Sequence, residues 1–123
     1  MDNSDIKFLI CDDSILARQS LTNLLHSFGY TNIIDVANGQ DAVNTYKHEH
    51  PTVVLLDIVM PVKDGITATR EIIEYDPKAI VIMISSVGTQ NNLREAIKAG
   101  AKDFIQKPVE ESLLRQVLEH VLA

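Results

Sequence analysis

Cysteine is nearly missing from this 123-residue sequence: the single Cys11 can close no internal disulfide. It lies in an apolar run, where its default role is that of a small buried hydrophobe, and it carries no information about redox function. Long apolar runs are missing as well. The longest, Ala79 to Ile84, falls far below the roughly 20 residues that a bilayer-crossing helix requires, so no membrane insertion is expected. Met1-Asp2-Asn3-Ser4-Asp5 lacks the positive flank and apolar stretch of a secretory signal, and a cytoplasmic location is expected. Basic residues are in deficit, eleven Lys plus Arg against seventeen Asp plus Glu, and the formal charge of -6 argues against direct contact with nucleic acid. With 46% hydrophobic and 23% charged residues, the composition suits a packed core, and the length suits one domain over residues 1–123.

Hydrophobic periodicity divides the chain into alternating units. Ile6 to Cys11 reads as a strand; Asp12 and Asp13 follow, then Ser14 as an N-cap, and Ala17, Leu21, Leu24, Leu25 and Phe28 form a helical stripe ending near Gly29. Ile33 to Val36 reads as a second strand, broken by Asn38-Gly39, with Ala42, Val43 and Tyr46 on the next helix. The third strand, Val53 to Leu56, runs straight into Asp57. Met60-Pro61 and Asp64-Gly65 then lead to a helix carrying Ile66, Thr69, Ile72 and Ile73 inward as far as Asp76-Pro77. Ile80 to Ile84 lacks polar alternation, as a strand covered on both faces does, which predicts a place at the centre of the sheet. Leu93, Ala96 and Ile97 predict a fourth helix stopped by Gly100. Phe104 and Ile105 predict a short fifth strand, and Leu113, Leu114, Val117, Leu118 and Val121 a last helix. Strict strand–helix alternation without linker or repeat predicts a doubly wound α/β domain with a five-stranded parallel sheet.

In such a domain ligands bind beyond the carboxyl ends of the strands. The polar residues there are Asp12 and Asp13, Asp57, Ser85 and Ser86, and Lys107-Pro108. Each has an ordinary reading alone: a helix cap, a strand-end turn, loop solvation, a surface charge. Their concurrence at one end of a sheet, from different strands, favours a site. Packed carboxylates repel one another and need a cation, and hard oxygen ligands suit Mg²⁺. One carboxylate could then act as nucleophile towards phosphorus, with a lysine ammonium and a serine hydroxyl on the other phosphoryl oxygens.

The residues Leu9-Ile10-Cys11-Asp12-Asp13-Ser14, Ala37-Asn38-Gly39, Leu56-Asp57 with Met60-Pro61 and Asp64-Gly65, Ser85, and Ala99 to Ile105 with Lys107-Pro108 together resemble a response-regulator receiver domain of the single-domain, CheY-like kind. The resemblance spans nearly the whole chain. It implies a flavodoxin-like, CheY-like (βα)5 fold with strand order 2-1-3-4-5 and a cis Lys107-Pro108 peptide. It further implies that Asp57 accepts a phosphoryl group from the phosphohistidine of a histidine kinase. Asp13, Asp57 and the backbone carbonyl of Val59 would ligate Mg²⁺, Asp12 would act largely through metal-bound water, and Lys107 would pair with the phosphate. Ser85 and Phe104 resemble the switch pair that couples phosphorylation to a surface around the fourth helix, fifth strand and fifth helix. The implied partners are the kinase, a downstream protein target such as a flagellar motor switch protein, and a phosphatase. As the sequence ends at its fifth helix, output by protein binding is expected; a receiver excised from a larger DNA-binding or enzymatic regulator is the alternative.

Four positions depart from the common pattern. Val59 and Val87, two residues beyond Asp57 and Ser85, are apolar and cannot hydrogen-bond an attacking water, so slow loss of the phosphoryl group is expected. Lys63 stands where an apolar residue is common, which bears on loop packing; Phe104 lacks a tyrosine-like hydroxyl. A Mg²⁺-dependent phosphohydrolase with an Asp nucleophile is disfavoured because the second acid such enzymes carry two residues on is here Val59. A flavin-binding domain is disfavoured because no phosphate-cradling loop follows the first strand. His26, His48, His50 and His120 are dispersed and read as solvated rather than as a zinc site. Tyr30, Tyr46 and Tyr75 are expected to pack with hydroxyls outward, and the methionines as core or loop filler.

Overall fold

The structure, a computed structural model, describes residues 3–86 and 90–123. After a single 3-10 turn at Asn3–Asp5, strands and helices alternate: β1 (Lys7–Cys11), α1 (Ile15–Ser27), β2 (Asn32–Val36), α2 (Gly39–Glu49), β3 (Val53–Asp57), α3 (Gly65–Tyr75), β4 (Val81–Ser85), α4 (Gln90–Ala99), β5 (Asp103–Gln106) and α5 (Glu111–Leu122). Every strand pairing is parallel, in the order β2-β1-β3-β4-β5.

The alternation of side chains along each strand builds two cores. Phe8 and Ile10, Val53 and Leu55, and Ile82 and Ile84 face Leu21 and Leu25 of α1 and Leu114, Val117 and Leu118 of α5. Leu9 and Cys11, Val54 and Leu56, and Val81 and Met83 face Ala42, Val43 and Tyr46 of α2, Ala68 and Ile72 of α3, and Ala96 of α4. Strands β3 and β4 are buried at all five positions, whereas the edge strand β2 is not buried at any. The sheet centre is therefore β3 rather than β4. Burial on both faces requires only neighbours on both sides, so continuous apolarity marks an interior strand without saying which one.

The helix starts follow the local chemistry. Ser14, Asn38 and Asp64 occupy the N-caps of α1, α2 and α3, each side chain accepting a hydrogen bond from the backbone N–H three residues on. On α4 the buried residues are Ala96 and Ala99, while Leu93 and Ile97 are exposed; Leu113 of α5 is exposed too. The small alanines sit closest to the sheet, leaving the larger side chains outside. Tyr46 departs from the expected outward hydroxyls: its ring is buried and its hydroxyl donates to Asp76 Oδ2 at 2.8 Å, tying α2 to the end of α3.

Candidate functional site

The carboxyl ends of β1, β3 and β5 bring Asp12, Asp57 and Lys107 together. By the two-residue period, Asp12 continues the series of Phe8 and Ile10, Asp57 that of Val53 and Leu55, and Lys107 that of Ile105. All three thus share the parity of the α1/α5 face. Lys107 Nζ donates to Asp12 Oδ2 at 2.7 Å and to Asp57 Oδ2 at 3.3 Å. Asp12 and Asp57 are buried and Asp13 is exposed, and carboxylate oxygens of the three acids lie within 4.8 Å of one another. Three hard oxygen donors at this spacing, one of them open to solvent, fit a small divalent cation that retains water.

Asp12 is tied at every polar atom. Its N–H donates to Val36 O at 3.2 Å, its Oδ1 accepts from the Ser14 N–H at 2.9 Å, and its carbonyl accepts from Arg18 Nη1 at 2.7 Å. The sequence reading missed Arg18. It stands four after the N-cap, in the first turn of a helix whose side chains lean back towards the strand ends, but its partner at the site is a backbone carbonyl, which no side-chain pattern marks.

The loop between β3 and α3 is held through backbone. The Gly65 N–H donates to Ile58 O at 2.7 Å and the Gly39 N–H to Lys63 O at 3.1 Å. A Cβ on Gly65 would lie 1.9 Å from Asp57 O, and one on Gly39 would lie 2.1 Å from Lys63 O, so neither position accepts a side chain without backbone movement. Between them Val62 takes the left-handed conformation, φ +69°, unusual for a β-branched residue. Lys63 forms an ion pair with Glu71 of α3, which gives its charge a place in the loop where an apolar residue was the common pattern. Val59 is 64% exposed at the start of this loop. Val87, the other apolar departure, lies outside the described residues.

Burial dominates the electrostatics of Asp57. Loss of hydration raises its carboxyl above the ordinary range, the Lys107 ammonium opposes this, and the Asp12 charge adds to it. For Lys107, burial pulls the ammonium down, but its bonds to Asp12 and Asp57 outweigh burial and raise it overall. The lysine is therefore a firmly held cation between two acids. Cys11, just behind, is pushed up to about 12, first by burial and then by the Asp12 and Asp57 charges, which keeps it a thiol donating to Asn38 O at 3.1 Å.

Ser85 ends β4 fully buried, and its carbonyl accepts from the Lys107 N–H at 2.8 Å. Ser86 is exposed beside Lys107 in a groove of about 540 Å³ walled by Ala17, Leu21, Leu24, Pro108 and Val109. Phe104 is partly buried against the α2/α3/α4 core, the face to which Ser85 also belongs by parity with Val81 and Met83. The Lys107-Pro108 peptide is cis.

Comparison with known proteins shows the family. The family model of the response regulator receiver domain matches residues 8–119. The chain belongs to the response regulator receiver family. This receiver is 42% identical over 115 residues to the chemotaxis protein CheY of Thermotoga maritima, covering 94% of this chain and 96% of the relative. A CheX-CheY-BeF3-Mg²⁺ complex from Borrelia burgdorferi matches with a TM-score of 0.90 and 39% identity, over 96% of this chain and 90% of that one. The receiver domain of a sensor histidine kinase from Pseudomonas aeruginosa, with a magnesium ion coordinated in its active site cleft, matches with a TM-score of 0.87 and 26% identity, over 96% and 98% of the two chains. Receivers are signalling switches rather than classical enzymes. Among the described residues no helix is long and apolar enough to cross a membrane.

Proposed function

We propose that this receiver is a phosphorylation-controlled switch in two-component signalling, with Asp57 as the phosphoacceptor and an output of the chemotaxis type. The observation that carries this reading is the Lys107 ammonium bridging Asp12 and Asp57, with Asp13 close enough to complete a cation site. Asp13, Asp57 and the Val59 carbonyl would hold Mg²⁺, with Asp12 beside them. When bound, Mg²⁺ supplies the positive charge that lets a phosphoryl group approach an acidic pocket.

An oxygen of Asp57 forms a bond to phosphorus as the phosphorus–nitrogen bond of a histidine kinase's phosphohistidine breaks, and the released imidazole nitrogen takes a proton from water. Lys107 shifts from Asp12 to a phosphoryl oxygen, its stem already aimed at Asp57. The Ser85 hydroxyl moves towards the phosphate and Phe104 turns into the space behind it, biasing the surface formed by α4, β5 and α5 between two states. Leu93, Ile97 and Leu113 supply exposed apolar contacts on that surface. A downstream partner such as a flagellar motor switch protein would read it. Ile15, Leu16, Val59 and Val62, exposed and adjacent in sequence to the acids, support protein partners at the site itself, a kinase or a phosphatase. The Borrelia neighbour, bound to CheX with BeF3 and Mg²⁺, supports the same reading.

The test is labelling by acetyl phosphate with Mg²⁺, mapped by mass spectrometry. The expected adduct sits on Asp57, requires Mg²⁺, and disappears in Asp57→Asn. Labelling that survives that substitution overturns the assignment.

A further inference from the structure

Arg18 was in no expected site, yet its one side chain reaches from α1 to both the acidic turn and the edge strand β2. Its Nη1 donates to the Asp12 carbonyl at 2.7 Å, and its Nε donates to Asp35 Oδ2 at 2.7 Å. The Arg18 side chain is mostly buried, at 16% exposure, while that of Asp35 is half exposed. Asp35 shares strand parity with Ile33, which packs against the α1/α5 core, so β2 presents the carboxylate to α1. The Arg18 backbone N–H bonds to Ser14 O, the first bond of α1, so the Cα from which the side chain extends is fixed as well as the head.

We propose that Arg18, braced by Asp35, is a positioning residue for the cation site: it fixes the Asp12–Asp13 peptide and thereby the direction of the Asp13 carboxylate. The proposal rests on the reading that the acids hold Mg²⁺. Its physical basis is the planarity of the peptide unit: a carbonyl oxygen held at one angle sets the plane that carries the next N–H and Cα. Asp13, the exposed acid, gains its orientation through that plane, while Asp12 is independently held by Ser14 and Lys107. A planar fork suits the task, because its two donors hold a carbonyl and a carboxylate at a fixed mutual angle, whereas the rotatable donors of a lysine ammonium on a flexible stem set no such angle.

The sign of the effect separates this role from simple charge. As a cation near the site, Arg18 repels Mg²⁺, so a pure charge effect would tighten Mg²⁺ binding when Arg18 is removed. Positioning requires the reverse. Groups that orient metal ligands typically change affinity by roughly 10- to 100-fold when lost, and Arg18→Ala is expected to weaken Mg²⁺ binding within that range. The same loss is expected in the double variant Arg18→Ala with Asp35→Asn, which removes a neutral pair. Arg18→Lys, with charge but no fork, falls between.

The experiment is calorimetric titration of the full chain with MgCl₂, paired with melting in EDTA and the ¹⁵N shift of the Asp13 amide, which reports the bond to the Asp12 carbonyl. Weakened Mg²⁺ binding and a displaced Asp13 resonance, with the rest of the spectrum retained, support the proposal. Mg²⁺ binding that is unchanged or tighter in folded Arg18→Ala overturns it while leaving the cation reading intact. If Arg18→Ala does not fold, Asp35→Ala decides: it removes the acceptor that braces the guanidinium from the exposed side, and an unmoved Asp13 amide with undiminished Mg²⁺ affinity is equally fatal. Absence of Mg²⁺ binding by the unaltered chain instead overturns the cation reading and this proposal with it.

Discussion

Replacing Lys107 by alanine removes the ammonium that meets Asp12 at 2.7 Å and Asp57 at 3.3 Å. Without Mg²⁺, two buried carboxylates then face each other with no cation between them. A hydrogen bond to a charged group contributes roughly 1.5–3 kcal/mol, and breaking a fully buried ion pair costs roughly 3–5 kcal/mol. The lysine side chain keeps 25% of its surface in water and the longer of its bonds is weak, so solvent screening brings the loss to about 2 kcal/mol. For a chain of this size that corresponds to a melting temperature lower by about 8 °C in EDTA. The sign reverses for metal. Mg²⁺ neutralises the same carboxylates and no longer has an ammonium to displace, so the variant regains stability as MgCl₂ is raised and binds the ion roughly tenfold more tightly, about 1.4 kcal/mol. Scanning calorimetry in EDTA and in saturating MgCl₂, with titration calorimetry for affinity, measures both effects. A variant as stable as the parent in EDTA, or one that binds Mg²⁺ more weakly, refutes the idea that Lys107 occupies the cation's role in the metal-free state.

Burial raises the Asp57 carboxyl, so the folded state binds that proton more tightly than the unfolded chain does. The resulting penalty is absent below the ordinary value of 3.8 and complete above the raised folded value, so the stability advantage of Asp57→Asn over the parent in EDTA grows with pH across that window and is flat above it. An advantage that shrinks with rising pH, seen in denaturant melts, contradicts this sign. Gly65→Ala places a methyl 1.9 Å from Asp57 O; the expected loss is about 3 kcal/mol or more by chemical denaturation, with weakened Mg²⁺ binding, and a variant as stable as the parent contradicts the close approach. Val59 is exposed and apolar beside the phosphoacceptor and offers an attacking water no hydrogen bond, so the aspartyl phosphate is expected to outlast minutes without a phosphatase; decay within seconds, followed by loss of radiolabel, counts against this.

Most of the fold was legible because the determinants are local. Ser14, Asn38 and Asp64 each fit the N-cap chemistry of peptides, and the helices begin where they stand. The strand ends came within a residue or two, the misses being Lys7, Asn32, Asp57, Val81, Ser85, Asp103 and Gln106 as actual boundary residues. The centre of the sheet was not legible from apolarity, because β3 and β4 are equally apolar; the order implied by the resemblance to receivers, 2-1-3-4-5, is the one observed and puts β3 there. Leu93, Ile97 and Leu113 mark their helices without lying in the core: periodicity finds an apolar stripe but not its edge, and small residues such as Ala96 and Ala99 decide which side lies against the sheet.

At the site, the legible residues are those that act through side-chain charge, and the illegible ones act through or upon the backbone. Asp12, Asp57 and Lys107 announce themselves as ionisable groups at strand ends. Arg18 reads in sequence as one more solvated helix charge, because its partner is a carbonyl oxygen that every residue possesses. Gly39 and Lys63 likewise join through an N–H and a carbonyl that no motif encodes, while the left-handed turn at Val62 runs against the preference of its own side chain. That turn persists because both of its flanks are pinned, by Gly39 on Lys63 and by Gly65 on Ile58, so the loop after Asp57 is set by its neighbours more than by its own sequence. The same logic applies to the acids: charge makes the pocket attractive to a cation, but affinity depends on whether the carboxylates are already aimed, and the aiming is done by bonds to peptide groups.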